Sequence, residues 1–140
     1  KRYEALLASH FSGTRWLKGV RVLMDCANGA MSEVAPSLFE DLGASVTVIN
    51  AEPNGHNINS GCGAVHLESL ASAMRSQSAD FGVAFDGDGD RSMFISAEGR
   101  IVELDPQHAA GFVARTKAAR SKRSTALGPR PRARARGSAG

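Results

Sequence analysis

The chain has 140 residues, of which 42% are hydrophobic, and its net charge of +3 is unevenly divided. Residues 1–114 hold eight Lys or Arg against fourteen acidic residues, a balance of −6, whereas residues 115–140 hold nine basic residues and no acidic one. This length supports one modest hydrophobic core and is too short for a multidomain enzyme. The two cysteines form no CxxC pair and have no clustered histidines nearby, so neither a zinc site nor a disulfide framework is indicated.

Apolar spacing predicts a regular alternation of helices and strands. The predicted elements are a helix over 1–11, a strand over 20–24, a helix over 32–42, a strand over 45–49, a loop over 50–63, a helix over 66–77, a strand over 80–85, hairpin strands over 92–96 and 100–104, and a helix that begins at Asp105-Pro106. Ser32 is the expected N-cap of the second helix and Gly43 its left-handed stop.

Strand, helix, strand, helix, strand is the order of right-handed crossovers in a parallel sheet. The hairpin that turns at Glu98-Gly99 adds antiparallel strands at an edge. The predicted fold is an α/β three-layer sandwich with a mostly parallel sheet, an antiparallel edge hairpin and helices on both faces. Its expected divisions are an N-terminal helix and linker over 1–14, this domain over 15–114 and a basic disordered tail over 115–140.

No signal peptide and no run of 18 apolar residues is found in the sequence. We therefore expect a cytoplasmic protein that makes no contact with a membrane, in which Cys26 and Cys62 stay reduced. Cys26 is predicted to be a small buried residue and not a nucleophile, because nothing near it in sequence would lower the pKa of its thiol.

The segment 50–63, here called the Asn-rich loop, is predicted to be functional because it holds four Asn, three Gly and one Pro in fourteen residues. Asn57 and Asn59 have two interpretations. They contact a substrate or a neighbouring domain, or they bond the backbone of their own loop, as asparagines in loops more often do.

Asp86, Asp88 and Asp90 alternate with glycines directly after the apolar run 81–85. A strand would deliver them to its carboxyl end, where α/β sheets bind ligands. Glycine permits backbone conformations closed to other residues, so the three carboxylates can converge, and converging carboxylates repel one another unless a cation is present. Hard oxygen ligands in a tight loop favour Mg²⁺.

Two other interpretations of this segment compete with a magnesium site. A solvated acidic turn is the simpler one, and it suits a single Asp-Gly pair better than a whole hexapeptide after a buried strand. A helix-loop-helix calcium site is excluded, because its sixth position requires Gly where Arg91 stands and its twelfth requires Glu where Ala97 stands.

Three segments together resemble the second domain of the α-D-phosphohexomutases, and most closely that of the bacterial phosphoglucosamine mutase branch. They are the strand and turn over 22–30, the loop over 52–63 and the stretch 85–91, and the similarity covers roughly residues 15–104. Members of this family move phosphate between the 6- and 1-oxygens of a hexose through a bisphosphorylated sugar. The resemblance therefore implies part of an isomerase, an intramolecular phosphotransferase of carbohydrate metabolism.

The resemblance also implies roles for individual residues. Asp86, Asp88 and Asp90 would hold Mg²⁺, whose remaining protein-side ligand in the family is a phosphate on an active-site serine. Arg91 would be a catalytic residue that stabilises negative charge near that phosphoserine. Its alternative role is an ion pair that only offsets the three aspartates.

In the family the phosphoserine lies in a Ser-His-Asn-Pro loop of a preceding domain, and the sugar- and phosphate-binding loops lie in two following domains. None of these motifs is in this sequence, and Ser9 is not expected to be the nucleophile because Phe11-Ser12 replaces Asn-Pro. We therefore expect a metal-binding domain that is inactive alone. Its partners would be the other mutase domains and, in the complete enzyme, a phosphorylated hexosamine.

The basic segment 115–140 supports a second hypothesis, a non-catalytic interaction fragment whose Arg-rich tail binds nucleic acid or acidic partners. No aromatic residue is interleaved there to stack on bases. The Ala, Arg, Gly and Pro bias of the segment also fits read-through of GC-rich DNA.

Overall fold

A computed structural model describes residues 15–102 and 109–126 of the protein. In these residues the elements are, in chain order, β1 (Arg21–Asp25), α1 (Met31–Asp41), β2 (Ser45–Ile49), α2 (Leu67–Ser76), β3 (Phe81–Phe85), β4 (Ser92–Ser96), β5 (Ile101–Val102) and α3 (Ala109–Ala126). The predicted helix over 1–11, Ser9 within it, and the expected helix start at Asp105-Pro106 lie outside the described residues.

The five strands of the described residues form one sheet in the order β2-β1-β3-β4-β5. Strand β1 pairs in parallel with β2 and β3, whereas the pairs β3–β4 and β4–β5 are antiparallel. This confirms the predicted mixed sheet with an antiparallel edge hairpin. Because the first crossover leads from β1 to β2 and the second returns past β1 to β3, the strand order reverses between β1 and β3. Open α/β sheets bind ligands at the carboxyl ends of the strands at such a point.

Helices cover both faces of this sheet. Alternation along β1 sends Met24 to one face, where it belongs to a cluster with Ala35 of α1 and Phe112 of α3. Leu23 belongs to the opposite cluster, with Leu70 of α2. Apolar residues are therefore buried on both faces, and the predicted three-layer α/β sandwich is confirmed.

Helix α1 begins earlier than predicted, because the turn after β1 is already helical at Ala30. The N-cap is Ala30, whose side chain makes no capping bond, so the prediction that Ser32 is the N-cap is wrong. The Ser32 hydroxyl instead donates to the Gly29 carbonyl at 2.8 Å. The predicted stop at Gly43 is confirmed by its left-handed φ of +94°.

Residues 115–126, predicted as part of a disordered tail, instead continue helix α3. The helix is docked on the core by Phe112, Val113 and Thr116, which are all buried. Phe112 also meets Phe81 edge-on, with ring centroids 5.4 Å apart. The basic composition of residues 115–126 did not indicate this docking, because the apolar residues Phe112 and Val113 lie just before that segment. No helix in the described residues, α3 included, has the length and apolar character needed to span a membrane.

Candidate metal centre

The chain closes into a tight turn directly after β3, over residues 86–91, here called the acidic loop. The Asp86 N–H donates to the Arg91 carbonyl at 3.3 Å, and the Gly89 N–H donates to the Asp86 carbonyl at 3.1 Å. Gly89 has a φ of +77°, which residues with a side chain rarely adopt. The loop is therefore closed by its own backbone, and β4 begins immediately after it at Ser92.

The three carboxylates of the acidic loop converge. One oxygen from each of Asp86, Asp88 and Asp90 lies within 4.8 Å of the others. Asp86 is buried, with 2% exposure, while Asp88 and Asp90 are exposed. One buried and two accessible carboxylates form an all-oxygen donor set that suits a hard cation such as Mg²⁺, which retains water or phosphate ligands. These residues therefore fit a metal ion.

Asp86 is held in place by the other residues of its loop. Its Oδ1 accepts hydrogen bonds from the backbone N–H groups of Gly89 and Arg91, each at 3.1 Å. Its Oδ2 accepts from Arg91 Nε at 2.8 Å. Burial raises the pKa of Asp86, but the hydrogen bonds and positive charge of Arg91 outweigh burial and lower it to about 2. Asp86 is therefore a carboxylate at neutral pH.

Arg91 forms the ion pair expected from its alternative role. Its Nε lies 2.8 Å from Asp86 Oδ2 and 3.5 Å from Asp90 Oδ1. The pKa of Asp90 is nevertheless raised, by its hydrogen bond to Asp86 and by the charges of Asp86 and Asp88. One arginine thus leaves the repulsion among the three carboxylates incompletely cancelled. Its side chain is 67% exposed and accessible to a further anion.

The acidic loop packs against the turn that follows β1, residues 26–30, here called the β1 turn. The Ala30 N–H donates to the Gly87 carbonyl at 2.8 Å. Gly29 lies so close that a Cβ atom there would be 2.2 Å from the Gly87 oxygen. Gly87 also lies against the Ile58 side chain, whose Cδ1 would be 2.6 Å from a Cβ atom at position 87. The contact at position 29 is with backbone atoms and therefore requires glycine there, whereas the side chains beside Gly87 can move.

The Asn-rich loop bonds to itself and to the β1 turn. Asn57 accepts a hydrogen bond at Oδ1 from the Asn54 N–H at 3.0 Å, and its Nδ2 donates to the Glu52 carbonyl at 2.9 Å. The Asn59 N–H donates to the Ala27 carbonyl at 2.9 Å. Of the two interpretations of Asn57, bonding to the backbone of its own loop is the one observed.

Both cysteines are buried free thiols. Burial and, to a lesser extent, the charge of Asp25 raise the pKa of Cys26 to about 12. This agrees with the prediction that Cys26 is not a nucleophile. Burial and Asp25 also raise the pKa of Cys62, although a hydrogen bond from Asn28 opposes them.

Asp25 was not among the predicted site residues, yet it has a central position in this region. It ends β1 with 0% exposure, and its carboxylate accepts hydrogen bonds from the Ala27 N–H, the Gly63 N–H and Asn50 Nδ2. The available signal was an acidic residue at the end of an apolar strand, three residues before Asn28-Gly29.

Comparison with known proteins shows similarity over most of the described chain. Residues 2–99 match a family model described as phosphoglucomutase/phosphomannomutase, alpha/beta/alpha domain II. The phosphoglucosamine mutase of Caldicellulosiruptor saccharolyticus is 48% identical over 105 residues, which are 75% of this chain and 23% of that protein. The chain therefore spans less than a quarter of the length of this relative.

Two solved structures have a similar fold. A phosphoglucomutase/phosphomannomutase family protein from Burkholderia thailandensis is 29% identical, with a TM-score of 0.53 over 59% of this chain and 19% of that chain. The Aspergillus fumigatus N-acetylphosphoglucosamine mutase, in complex with GlcNAc-6P and magnesium, is 26% identical, with a TM-score of 0.50 over 67% of this chain and 21% of that chain.

Proposed function

This chain belongs to the phosphoglucomutase/phosphomannomutase family as an α/β/α domain II, and from that premise we propose that it is the metal-binding domain of a phosphosugar mutase. Asp86, Asp88 and Asp90 would hold Mg²⁺. The observation that carries the proposal is the convergence of three carboxylate oxygens within 4.8 Å at the end of a buried strand.

The proposed reaction is the interconversion of the 6- and 1-phosphates of a hexosamine through a bisphosphate. The relative from Caldicellulosiruptor is named a phosphoglucosamine mutase, and the Aspergillus enzyme is in complex with GlcNAc-6P and magnesium, which supports this substrate class. Mg²⁺ at the acidic loop would neutralise charge on the transferring phosphoryl group. Asp86 is fixed by three hydrogen bonds, and the exposure of Asp88 and Asp90 leaves the site open to a phosphate.

Arg91 is the proposed catalytic arginine. Its Nε–H donates a hydrogen bond to Asp86. A guanidinium carries four further N–H donors, which can bind phosphoryl oxygens. Its 67% exposure makes those donors accessible to a substrate without breaking the bond to Asp86.

The remainder of the active site is proposed to lie in other domains of a longer enzyme, so that this chain alone does not turn over substrate. The acidic loop contains no serine to carry a phosphate, and the chain covers 23% of the relative from Caldicellulosiruptor. We place the enzyme in the cytoplasm, where buried free thiols stay reduced.

Millimolar Mg²⁺ or Mn²⁺ should raise the melting temperature of the full chain, because a ligand bound only by the native state stabilises it. At a metal concentration 100 times Kd the gain is about 2.7 kcal/mol, or several degrees for a domain of this size. Asp88→Asn should lose the response, since it removes an exposed ligand without breaking a buried contact. Scanning calorimetry with and without metal measures the shift.

Glu40→Gln is the matched control for this experiment. It removes the same charge from an exposed carboxylate on α1, and it should respond to metal as the wild type does. An unchanged melting temperature of the wild type at millimolar metal would refute the proposed function. A response that persists in Asp88→Asn would contradict the ligand set.

A second candidate function is the binding of nucleic acid through the basic segment 115–140. The observation that favours it is the charge separation, because nine basic residues without an acidic one follow a body of net charge −6. On helix α3, Arg115 and Lys122 are exposed and accessible to phosphate groups.

If this candidate function holds, neutralising the end of the segment should weaken the salt dependence of DNA binding. The variant replaces four arginines by Gln, namely Arg130, Arg132, Arg134 and Arg136. Each lost phosphate contact lowers the slope of log K against log salt by about 0.9, so four lower it by about 3.6. Fluorescence anisotropy with a labelled duplex measures the slope. The exposed-arginine control Arg75→Gln should leave it unchanged, and a wild type that binds no DNA would eliminate the candidate.

A further inference from the structure

We infer that Asp25 is a positioning residue for the metal site, because it joins the β1 turn and the Asn-rich loop, which both pack against the acidic loop. Its own hydrogen bonds are to Ala27, Asn50 and Gly63 and not to a metal ligand. The inference rests on the proposed metal-binding function and names the residue on which the geometry of that site depends.

In the described residues, the donors that bond to the buried carboxylate of Asp25 are all uncharged. Its Oδ1 accepts from the Ala27 N–H at 2.9 Å, and its Oδ2 accepts from Asn50 Nδ2 and the Gly63 N–H, both at 3.0 Å. In the described part of the chain no Lys or Arg pairs with it. An asparagine at this position would keep the shape, but its NH₂ group would face a donor where the second carboxylate oxygen now accepts.

The first connection runs through the β1 turn. Ala27 and Asn28 both have left-handed backbone conformations, with φ of 53° and 49°, which asparagine tolerates but which are unfavourable for alanine. The bond from the Ala27 N–H to Asp25 supports this turn, as aspartates do two residues before a reversal. The turn then brings the Ala30 N–H to the Gly87 carbonyl at 2.8 Å, between two proposed metal ligands.

The second connection runs through the Asn-rich loop, whose first and last residues, Asn50 and Gly63, both donate to Asp25 Oδ2. The next residue, Ala64, donates its N–H to the Phe85 carbonyl at 2.8 Å, one position before Asp86. The middle of the loop places Ile58 against Gly87. Contacts to both neighbours of the buried ligand thus depend on a loop whose ends meet at Asp25.

A second buried aspartate, at the opposite end of the sheet, provides a control that distinguishes an effect on the metal site from a general loss of stability. Asp80 has 3% exposure and directly precedes β3. It accepts from the Arg21 N–H at 2.8 Å and pairs with Arg21 Nη2 at 3.1 Å. Asp80→Asn therefore also weakens hydrogen bonds of a buried carboxylate that links β1 to β3. These bonds lie at the amino ends of the two strands, away from the acidic loop.

The experiment compares Asp25→Asn with Asp80→Asn in the full chain, using titration calorimetry with MgCl₂ and urea unfolding. Both variants should unfold at lower urea concentration than the wild type. Asp25→Asn should weaken Mg²⁺ binding roughly 10- to 100-fold, the range found when a group that orients metal ligands is removed. Asp80→Asn should keep the wild-type affinity. Equal Mg²⁺ affinity in the two variants would overturn the inference.

Amide hydrogen exchange without metal separates failure of this inference from failure of the proposed function. Asp25→Asn should accelerate exchange of the Gly89 and Arg91 amides, which donate to Asp86, while Asp80→Asn should not. If the wild type binds no Mg²⁺ but this difference is seen, the metal function is wrong and the positioning role stands. If both variants exchange alike in the acidic loop, the positioning role is wrong whatever the metal result.

Asn50→Gly tests the same inference if Asp25→Asn does not fold. Glycine readily adopts the φ of 51° observed at Asn50, so the variant removes one donor to Asp25 without new backbone strain. It should weaken Mg²⁺ binding several-fold and accelerate exchange of the Gly89 amide. Wild-type affinity together with wild-type exchange in Asn50→Gly would overturn the inference.

Discussion

Gly29→Ala is expected to lower the free energy of unfolding by about 3 kcal/mol or more, at the upper end of what overpacking costs. Its Cβ would lie 2.2 Å from the Gly87 oxygen and 2.7 Å from the Gly87 Cα. Both atoms are backbone, so no side-chain rotation relieves the contact, and the β1 turn and the acidic loop have to separate. Urea unfolding measures the loss, and the response of the melting temperature to Mg²⁺ should disappear with it.

Gly55→Ala is the matched control for this substitution. Gly55 has a left-handed φ of +86°, and nothing lies within 4 Å of the position that its Cβ would occupy. Its replacement should cost only the backbone strain of about 1–2 kcal/mol, and the metal response should persist. Equal losses in the two variants would contradict the close packing of Gly29 on Gly87.

Asp86→Asn is expected to abolish metal binding at accessible concentrations. Asp86 is the buried member of the ligand set, and its two oxygens accept three hydrogen bonds from Gly89 and Arg91. An amide offers one acceptor oxygen and turns an NH₂ group toward a donor or toward the cation. Mg²⁺ affinity should fall at least roughly 100-fold, beyond the effect of losing an orienting group. Titration calorimetry with Mg²⁺ measures it.

Asp90→Asn, which changes an exposed ligand of the same loop, provides the comparison for Asp86→Asn. Asp90 is exposed, and its substitution leaves the three hydrogen bonds that Asp86 accepts from Gly89 and Arg91 in place, so the loss of affinity should be smaller than for Asp86→Asn. Stability should also separate the two variants, because Asp86→Asn leaves the Arg91 guanidinium without its 2.8 Å partner. Retention of wild-type Mg²⁺ affinity by Asp86→Asn would exclude the acidic loop as the metal site.

Most element bounds were predicted to within one residue, because they follow from local signals. Strands β2 and β4 have the predicted bounds, and α1 and α2 differ from their predicted ranges by one residue at each end. Apolar alternation, helical spacing and a left-handed glycine such as Gly43 act over a few neighbouring residues. The prediction that Ser32 is the N-cap was wrong because the backbone is already helical at Ala30, whose N–H also donates to Gly87 of the distant acidic loop.

Helix α3 shows why composition alone misjudged the end of the described chain. The positive charge of the segment suggested a solvated tail, yet Phe112 and Val113 lie just before it and join two different apolar clusters. Whether such residues find a partner depends on surfaces formed by distant segments. The site of Phe112 includes Phe81 and Phe94, which are brought together by the antiparallel pairing of β3 and β4.

The metal-ligand candidates were visible in the sequence because aspartates that alternate with glycine can converge through local backbone turns alone. The burial of Asp86 and the role inferred for Asp25 were not visible there. Asp25 bonds to Gly63, 38 residues away, and Gly29 contacts Gly87 across an even longer separation. Such contacts form only when parallel strands bring their carboxyl ends together. The local sequence therefore determines which ligands the acidic loop offers, and the tertiary structure determines how rigidly that loop is held.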